Sequence, residues 1–267
     1  MPEKITSIKK EDYNYQKNNN GSIVVKLSKS KFNSFGPGNL GLGDLQIESN
    51  STEAMAAIFD LAGFTNFCKQ IEPHLSVPTF LNSFLTWLFD EIKSEMRNKD
   101  EEDNVKLWCP LPFYTKFMGD GLLVLWDVSS ISEMNRRNII ISCRNICIHY
   151  RTRFYPKLRK IVSEPPAILR CGLARGTVFS VGNGGDYVGS CINMAARLQK
   201  INGTSFAFNR RGMNLEEDNE PTRKFNDIFL IAEVDIRGIG EHELVAILRS
   251  EYKDLSPENQ SLFRLLE

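Results

Sequence analysis

A chain of 267 residues with 42% hydrophobic content has room for one large domain or two small ones, and enough apolar surface to build a core. Its 33 basic and 33 acidic side chains balance, so no global field draws it to nucleic acid or acidic lipid, and any phosphate-binding site must be local. The longest apolar stretches, such as Asn138 to Ile148, are too short to cross a bilayer and are broken by Arg144 and Asn145, which excludes a membrane span.

The opening residues, MPEKITSIKKEDYNYQKNNNGS, lack the apolar centre of a signal peptide, so a cytoplasmic location is expected. Cysteines in that compartment are expected to stay as thiols. Cys68, Cys109, Cys143, Cys147, Cys171 and Cys191 form no CxxC pair, and His74, His149 and His242 are far apart in sequence, which argues against a zinc site. Cys143 and Cys147, four apart on a predicted helix, read as core packing, and so does Cys191.

Residues 1–50, rich in Lys, Asn, Ser and Gly, read as a polar arm or linker ahead of a domain at 51–267. Gly36, Gly38 and Gly41 spell GxGxxG, but no strand precedes them and no helix pattern follows, so they do not read as a dinucleotide site. From Met55, AMAAIFD is an apolar strand ending in Asp60, and LAGFT is a turn into a helix. Phe80, Leu81, Phe84, Leu85, Leu88 and Ile92 recur at helical spacing and predict a helix over Pro78–Met96. NKDEEDN reads as a charged loop. TKFMGDGLLVLWD, Thr115 to Asp127, is two short strands joined by a tight turn.

A long helix is predicted from about Ser132 to Ile161, stopped by Pro165 and Pro166. AILRCGLARGTVFSVG reads as a strand, a glycine turn and a second strand. NGGDYVGSCINMAARLQKI turns into a helix that carries Asn193 and Arg197 on one face. FNDIFLIAEVDIRGIG and HELVAILR look like a closing antiparallel pair. The order predicts an α+β sandwich, a mainly antiparallel sheet with helices packed on it.

Asp60 and Asp120 each fall where an apolar strand meets a glycine-containing turn, a placement that holds a carboxylate rigidly and leaves it accessible. Mg²⁺ and Mn²⁺ favour such a carboxylate pair together with phosphate oxygens and water. Taken singly, each has a structural explanation, because Gly-Asp-Gly is a common hairpin turn and Asp a common helix cap.

Three segments in order, FDLAGFT, KFMGDG and GTVFSVGNGGDYVGSCINMAARL, resemble the signature segments of class III nucleotidyl cyclases over roughly Met55 to Leu248. The resemblance implies a ferredoxin-like sandwich as the catalytic domain at 51–267. It implies two divalent metal ions per site, Mn²⁺ or Mg²⁺, held by Asp60, Leu61 and Asp120, with Gly63, Phe64 and Thr65 on the phosphates. Lys116 and Asp186 fall on the base-recognition positions, and Asn193 and Arg197 on the transition-state positions. It further implies a homodimer with two composite sites, each chain lending the metal carboxylates to one site and the base-reading, Asn and Arg residues to the other, so that a monomer is inactive.

Two departures stand out. The stretch from Gly176 to Gly189 is shorter than usual, and Ile239 of DIRGIG sits where many members carry a triphosphate-binding lysine, although Arg237 supplies one basic residue. A Lys and Asp pair reads adenine, offers the same pattern to cytosine, and reads uracil with roles exchanged, so hydrogen bonding alone leaves the base open. The clipped hairpin and the IRGIGEHELV ending look similar to the pyrimidine cyclases of the bacterial Pycsar antiphage system. That likeness implies cyclic UMP or cyclic CMP made as an alarm signal, with UTP converted to cyclic UMP as the first choice and the product read by a separate cyclic-nucleotide-binding effector. The competing readings are an adenylate or cytidylate cyclase and a nucleotide-binding module without turnover. The GG[DE]EF continuation of a diguanylate cyclase is absent, since Tyr187 and Val188 follow Asp186.

Overall fold

The computed structural model describes residues 10–17, 23–34, 42, 46–70, 72–183, 185–213, 215 and 225–266. Gly36, Gly38 and Gly41 lie outside them. The chain divides into two units, Met1–Ser51 with Phe179–Val188, and Thr52–Val178 with Gly189–Glu267. In the first unit, β1 (Asn14–Lys17) and β2 (Ile23–Lys26) pair antiparallel, with Tyr15 opposite Val25. The short helix α1 (Lys29–Asn33) follows, and the Ser28 hydroxyl caps it by accepting from the Lys31 N–H at 3.2 Å.

The second unit begins at Thr52, within β3 (Ser51–Ala62), which is buried from Ala54 through Leu61. A strand covered on both faces reads as a continuous apolar run, which is why its sequence lacks alternation. Its two faces are nevertheless distinct. Met55, Ala57, Phe59 and Leu61 join one large apolar cluster, whereas Ala54, Ala56, Ile58 and Asp60 alternate with them on the opposite face. The strand runs two residues past Asp60, so this aspartate lies within the ladder and not at its end.

A short turn of helix, α2 (Phe64–Phe67), leads to α3 (Pro73–Met96). The helix starts five residues before the expected Pro78, which lies inside it and forfeits an intrahelical bond. Phe80, Phe84, Leu88, Ile92 and Met96 form its buried stripe, each worth about 1.5–3 kcal/mol in apolar burial. The NKDEEDN stretch is not a plain loop. It contributes to a two-stranded ladder of β4 (Arg97–Asp100) and β5 (Val105–Leu107), whose residues are all exposed and therefore carry no apolar pattern.

The expected hairpin is present as β6 (Tyr114–Phe117) and β7 (Gly121–Asp127). The long helix appears as α4 (Glu133–His149), a π-helical turn at Tyr150–Phe154, and α5 (Tyr155–Leu158). Helices α3 and α4 cover the sheet face that carries Phe59 and Trp126, where Ile139, Cys143 and Ile146 complete the cluster.

AILRCGLARGTVFSVG forms one uninterrupted strand, β8 (Ile168–Val181), instead of two strands about a glycine turn. Its glycines serve packing: a Cβ on Gly172 would lie 2.1 Å from the Ala195 carbonyl oxygen, so glycine here lets a helix sit against the strand. That helix is α6 (Ser190–Leu198), on the face opposite α3 and α4. The far end of β8 pairs antiparallel with β9 (Asp186–Val188) within the first unit, where the Ser49 and Asn50 side chain and backbone bond to Ser180.

The sheet is completed by β10 (Phe206–Asn209), the expected closing pair β11 (Phe229–Ile236) and β12 (Gly240–Leu248), and β13 (Arg264–Leu265). Its order is β13-β11-β12-β10-β8-β3-β7-β6, with β10 parallel to β8 in an otherwise mainly antiparallel ladder. The predicted α+β sandwich is the observed fold. Among the described residues no helix is long and apolar enough to cross a membrane.

Candidate functional site

Asp60 belongs to the β3–β7 ladder, and Asp120 stands in the turn just before β7. Asp60 lies opposite Gly121, and the Leu61 N–H donates to the Asp120 carbonyl oxygen at 3.2 Å. The turn before β7 is closed by the Met118 N–H donating to the Gly121 carbonyl at 2.9 Å, with Gly119 at φ +94°. A Cβ on Gly121 would stand 2.3 Å from the Phe59 carbonyl oxygen. Glycine at 121 therefore permits the close approach that places the Asp120 turn beside Asp60.

The Asp60 side chain is only 12% exposed and is bound by an arginine the sequence reading passed over. Arg170, on β8, donates from Nε to Asp60 Oδ2 at 3.2 Å and closes the pair with a second bond from its terminal nitrogen. The 110 residues between them hide the contact from any local motif. The fold makes it: Arg170 alternates with Leu169 and Cys171 of the apolar cluster, so it emerges on the same face as Asp60. Lys116 emerges there too, since it pairs with Leu123, which pairs with Ile58. Lys116 is exposed.

Beyond Leu61, Gly63 takes a left-handed conformation at φ +83° and turns the chain into α2, which begins with Phe64 and Thr65. Asp186 belongs to the first unit and Lys116 to the second. The Asp186 carboxylate accepts from the Tyr187 N–H at 2.9 Å.

Asn193 and Arg197 stand one turn apart on α6, which is anchored by its buried Cys191, Ala195 and Leu198. Both line a cavity of about 380 Å³ together with Ala196, Lys200, Gly238 and Ile239. Arg197 and Lys200 also line a second cavity of about 380 Å³ that adds Arg237, Asp235 and Arg264. Asn193 further borders a third, of about 530 Å³, with Cys191 and Glu243. None of the three includes Asp60, Asp120 or Lys116. Lys200, like Arg170, is not marked by the sequence motifs, and its position three residues after Arg197, just past the end of α6, is the signal that could have found it.

No family model and no curated protein matches the chain. Solved structures do. The guanylyl cyclase Cya2 superposes with TM-score 0.50 at 16% identity, covering 76% of this chain and 94% of that one. The catalytic core of a rhodopsin-guanylyl cyclase with converted specificity, in complex with ATPalphaS, gives TM-score 0.51 at 15% identity over 76% and 98%. The guanylate cyclase domain of RhGC from Catenaria anguillulae, in complex with GTP, gives 0.50 at 13% over 74% and 97%. At these identities the likeness concerns architecture: the chain has the fold of nucleotide cyclase catalytic domains.

Proposed function

We propose that the chain is a class III nucleotidyl cyclase that converts UTP to 3′,5′-cyclic UMP and pyrophosphate. The observation that carries the reading is the approach of the Asp120 turn to β3, where Asp60 lies opposite Gly121 and the Leu61 N–H donates to the Asp120 carbonyl, while Arg170 and Lys116 emerge on the same sheet face as Asp60. Two carboxylates and the Leu61 carbonyl form a hard oxygen donor set suited to Mg²⁺ or Mn²⁺. When bound, such ions lower the pKa of the ribose 3′-hydroxyl and neutralise the α-phosphate for in-line attack.

The remaining roles fall to the chain's own groups. Arg170 offsets the Asp60 charge until that carboxylate is engaged elsewhere, and its guanidinium is then available to a phosphate oxygen. Gly63, Phe64 and Thr65 would bring the start of α2 to the phosphates. Lys116 and Asp186 would read the base by one donor and one acceptor. Asn193 would orient the ribose, and Arg197 would stabilise charge growing on the phosphoryl oxygens. Ile239 offers no charge, but Lys200 shares its cavity and Arg237 borders the adjoining one, so cations for the triphosphate remain at hand.

As the resemblance to class III cyclases implies, the chain would form a homodimer with two composite sites, Asn193 and Arg197 of one copy facing Asp60 and Asp120 of the other. The product would act as a second messenger in antiphage defence, read by a separate cyclic-nucleotide-binding effector. Incubating the purified protein with each of the four nucleoside triphosphates and Mn²⁺ tests the reading. Cyclic UMP and pyrophosphate are expected from UTP, with kcat reduced about 10²- to 10³-fold in Arg197→Ala. Consumption of ATP alone would make the chain an adenylate cyclase, and nucleotide binding without pyrophosphate release would make it a regulatory module.

A further inference from the structure

Three side chains of metal-ligating type converge between α3 and α4, on elements other than the strand that carries Asp60 and the turn that carries Asp120. Glu91 and Glu95 lie one turn apart on α3, and His149 ends α4. His149 Nδ1 stands 2.5 Å from Glu91 Oε1 and 3.4 Å from Glu95 Oε1. A ligand atom from each lies within 4.8 Å of the other two. The histidine side chain is 16% exposed and both glutamates 15%, so water screens the cluster only in part.

An ion pair alone accounts poorly for this arrangement. Two glutamates at i and i+4 repel and destabilise a helix, and an imidazole Nδ1 carries at most one proton to share between them. Glu95 is also held in place from behind, because Asn145 Nδ2 donates to its Oε2 at 2.9 Å and leaves Oε1 turned toward His149. A ligand carboxylate steadied by an outer hydrogen bond is the usual support of a metal centre. One imidazole nitrogen with two carboxylate oxygens is a borderline donor set that favours a first-row transition ion over Mg²⁺.

We propose that Glu91, Glu95 and His149 form a site for a divalent transition ion, with Zn²⁺ as its best match and water completing a four-coordinate shell. Zinc bonds of about 2.1 Å place tetrahedral ligands about 3.4 Å apart, which is the separation of His149 Nδ1 from Glu95 Oε1 and falls inside the 4.8 Å within which all three ligand atoms lie. The cysteine and histidine spacing in the sequence argues against zinc, but here carboxylates from a neighbouring helix supply the ligands that spacing lacks. The ion would tie the C-terminal half of α3 to the end of α4, next to the π-helical turn at Tyr150–Phe154, as a structural clamp.

The test uses the full chain, stripped with a chelator and dialysed, in an Asp120→Asn background so that the candidate nucleotide site does not confuse the count. Calorimetric titration with Zn²⁺ should show one tight ion per chain, and at a hundredfold excess over Kd the Tm should rise by roughly 5 °C or more. His149→Asn and Glu91→Gln should each weaken binding at least about tenfold, and Asn145→Ala should do so more mildly. Far-UV circular dichroism of the stripped variants checks that each still folds, and Co²⁺ absorption on the parent protein reads the coordination directly. Zn²⁺ binding of equal stoichiometry and affinity in the parent and in both ligand variants, or no binding at micromolar concentrations, would overturn the proposal.

Discussion

Asp60 shows how a side chain's surroundings change what its residue type means. It is an aspartate inside a buried strand, a place where an unpaired charge is not tolerated, and Arg170 supplies the compensation. The sequence marks Asp60 through its neighbours in FDLAGFT, but it cannot mark Arg170, because strand alternation and sheet order bring that residue into range. The cysteines obey the same logic of burial. Burial pushes the Cys191 thiol up to about 11, with backbone N–H groups pulling partly the other way, and burial together with Cys143 pushes Cys109 up to about 12. Both folded values lie above those of the unfolded chain. Their contribution to stability is therefore complete below about pH 9 and is lost as pH rises toward 11 to 12. Iodoacetamide at pH 8 should label the partly exposed Cys68 first and leave the five buried thiols intact until the chain unfolds, a pattern that peptide mass mapping reads directly. Early labelling of Cys191 would contradict the packing described for α6.

At the scale of elements, legibility follows exposure and period. The stripe on α3, the hairpin β6–β7 and the closing pair β11–β12 carry apolar periodicity and can be read without a structure. The β4–β5 ladder cannot, because every one of its residues faces solvent. The long strand β8 misleads for a different reason: its glycines resemble a turn, but Gly172 is there for the approach of α6. Glycine at 121 has a comparable role on the candidate site, and this leads to a stability prediction. Gly121→Ala drives a methyl group into the Phe59 carbonyl across two paired backbones, neither of which can yield alone. A loss of about 1–3 kcal/mol is expected, read as a drop of Tm and of the urea midpoint. An unchanged midpoint would mean that the ladder is looser than the register implies.

At the scale of the whole molecule, a chain with no net charge still gathers cations where the reading needs them: Arg197, Lys200, Arg237 and Arg264 border one cavity against a single carboxylate, Asp235. Arg264 already spends part of its charge on Asp235, at 2.6 Å, which leaves three cations for an anionic ligand. Asp60 on the β3–β7 ladder and Asp120 in the turn before β7 are not among the residues that line that cavity, and under the proposed function a second copy of the chain would bring the two sets together. The most direct test mixes two variants expected to be inactive, Asp120→Asn, which would lose a metal carboxylate, and Arg197→Ala, which loses the guanidinium, and measures pyrophosphate release from UTP. Mixed dimers carry one intact site, so equal amounts should recover about a quarter of wild-type turnover from random pairing. If the mixture stays as inactive as either variant alone, while size-exclusion chromatography shows that the subunits exchange, the composite site is contradicted.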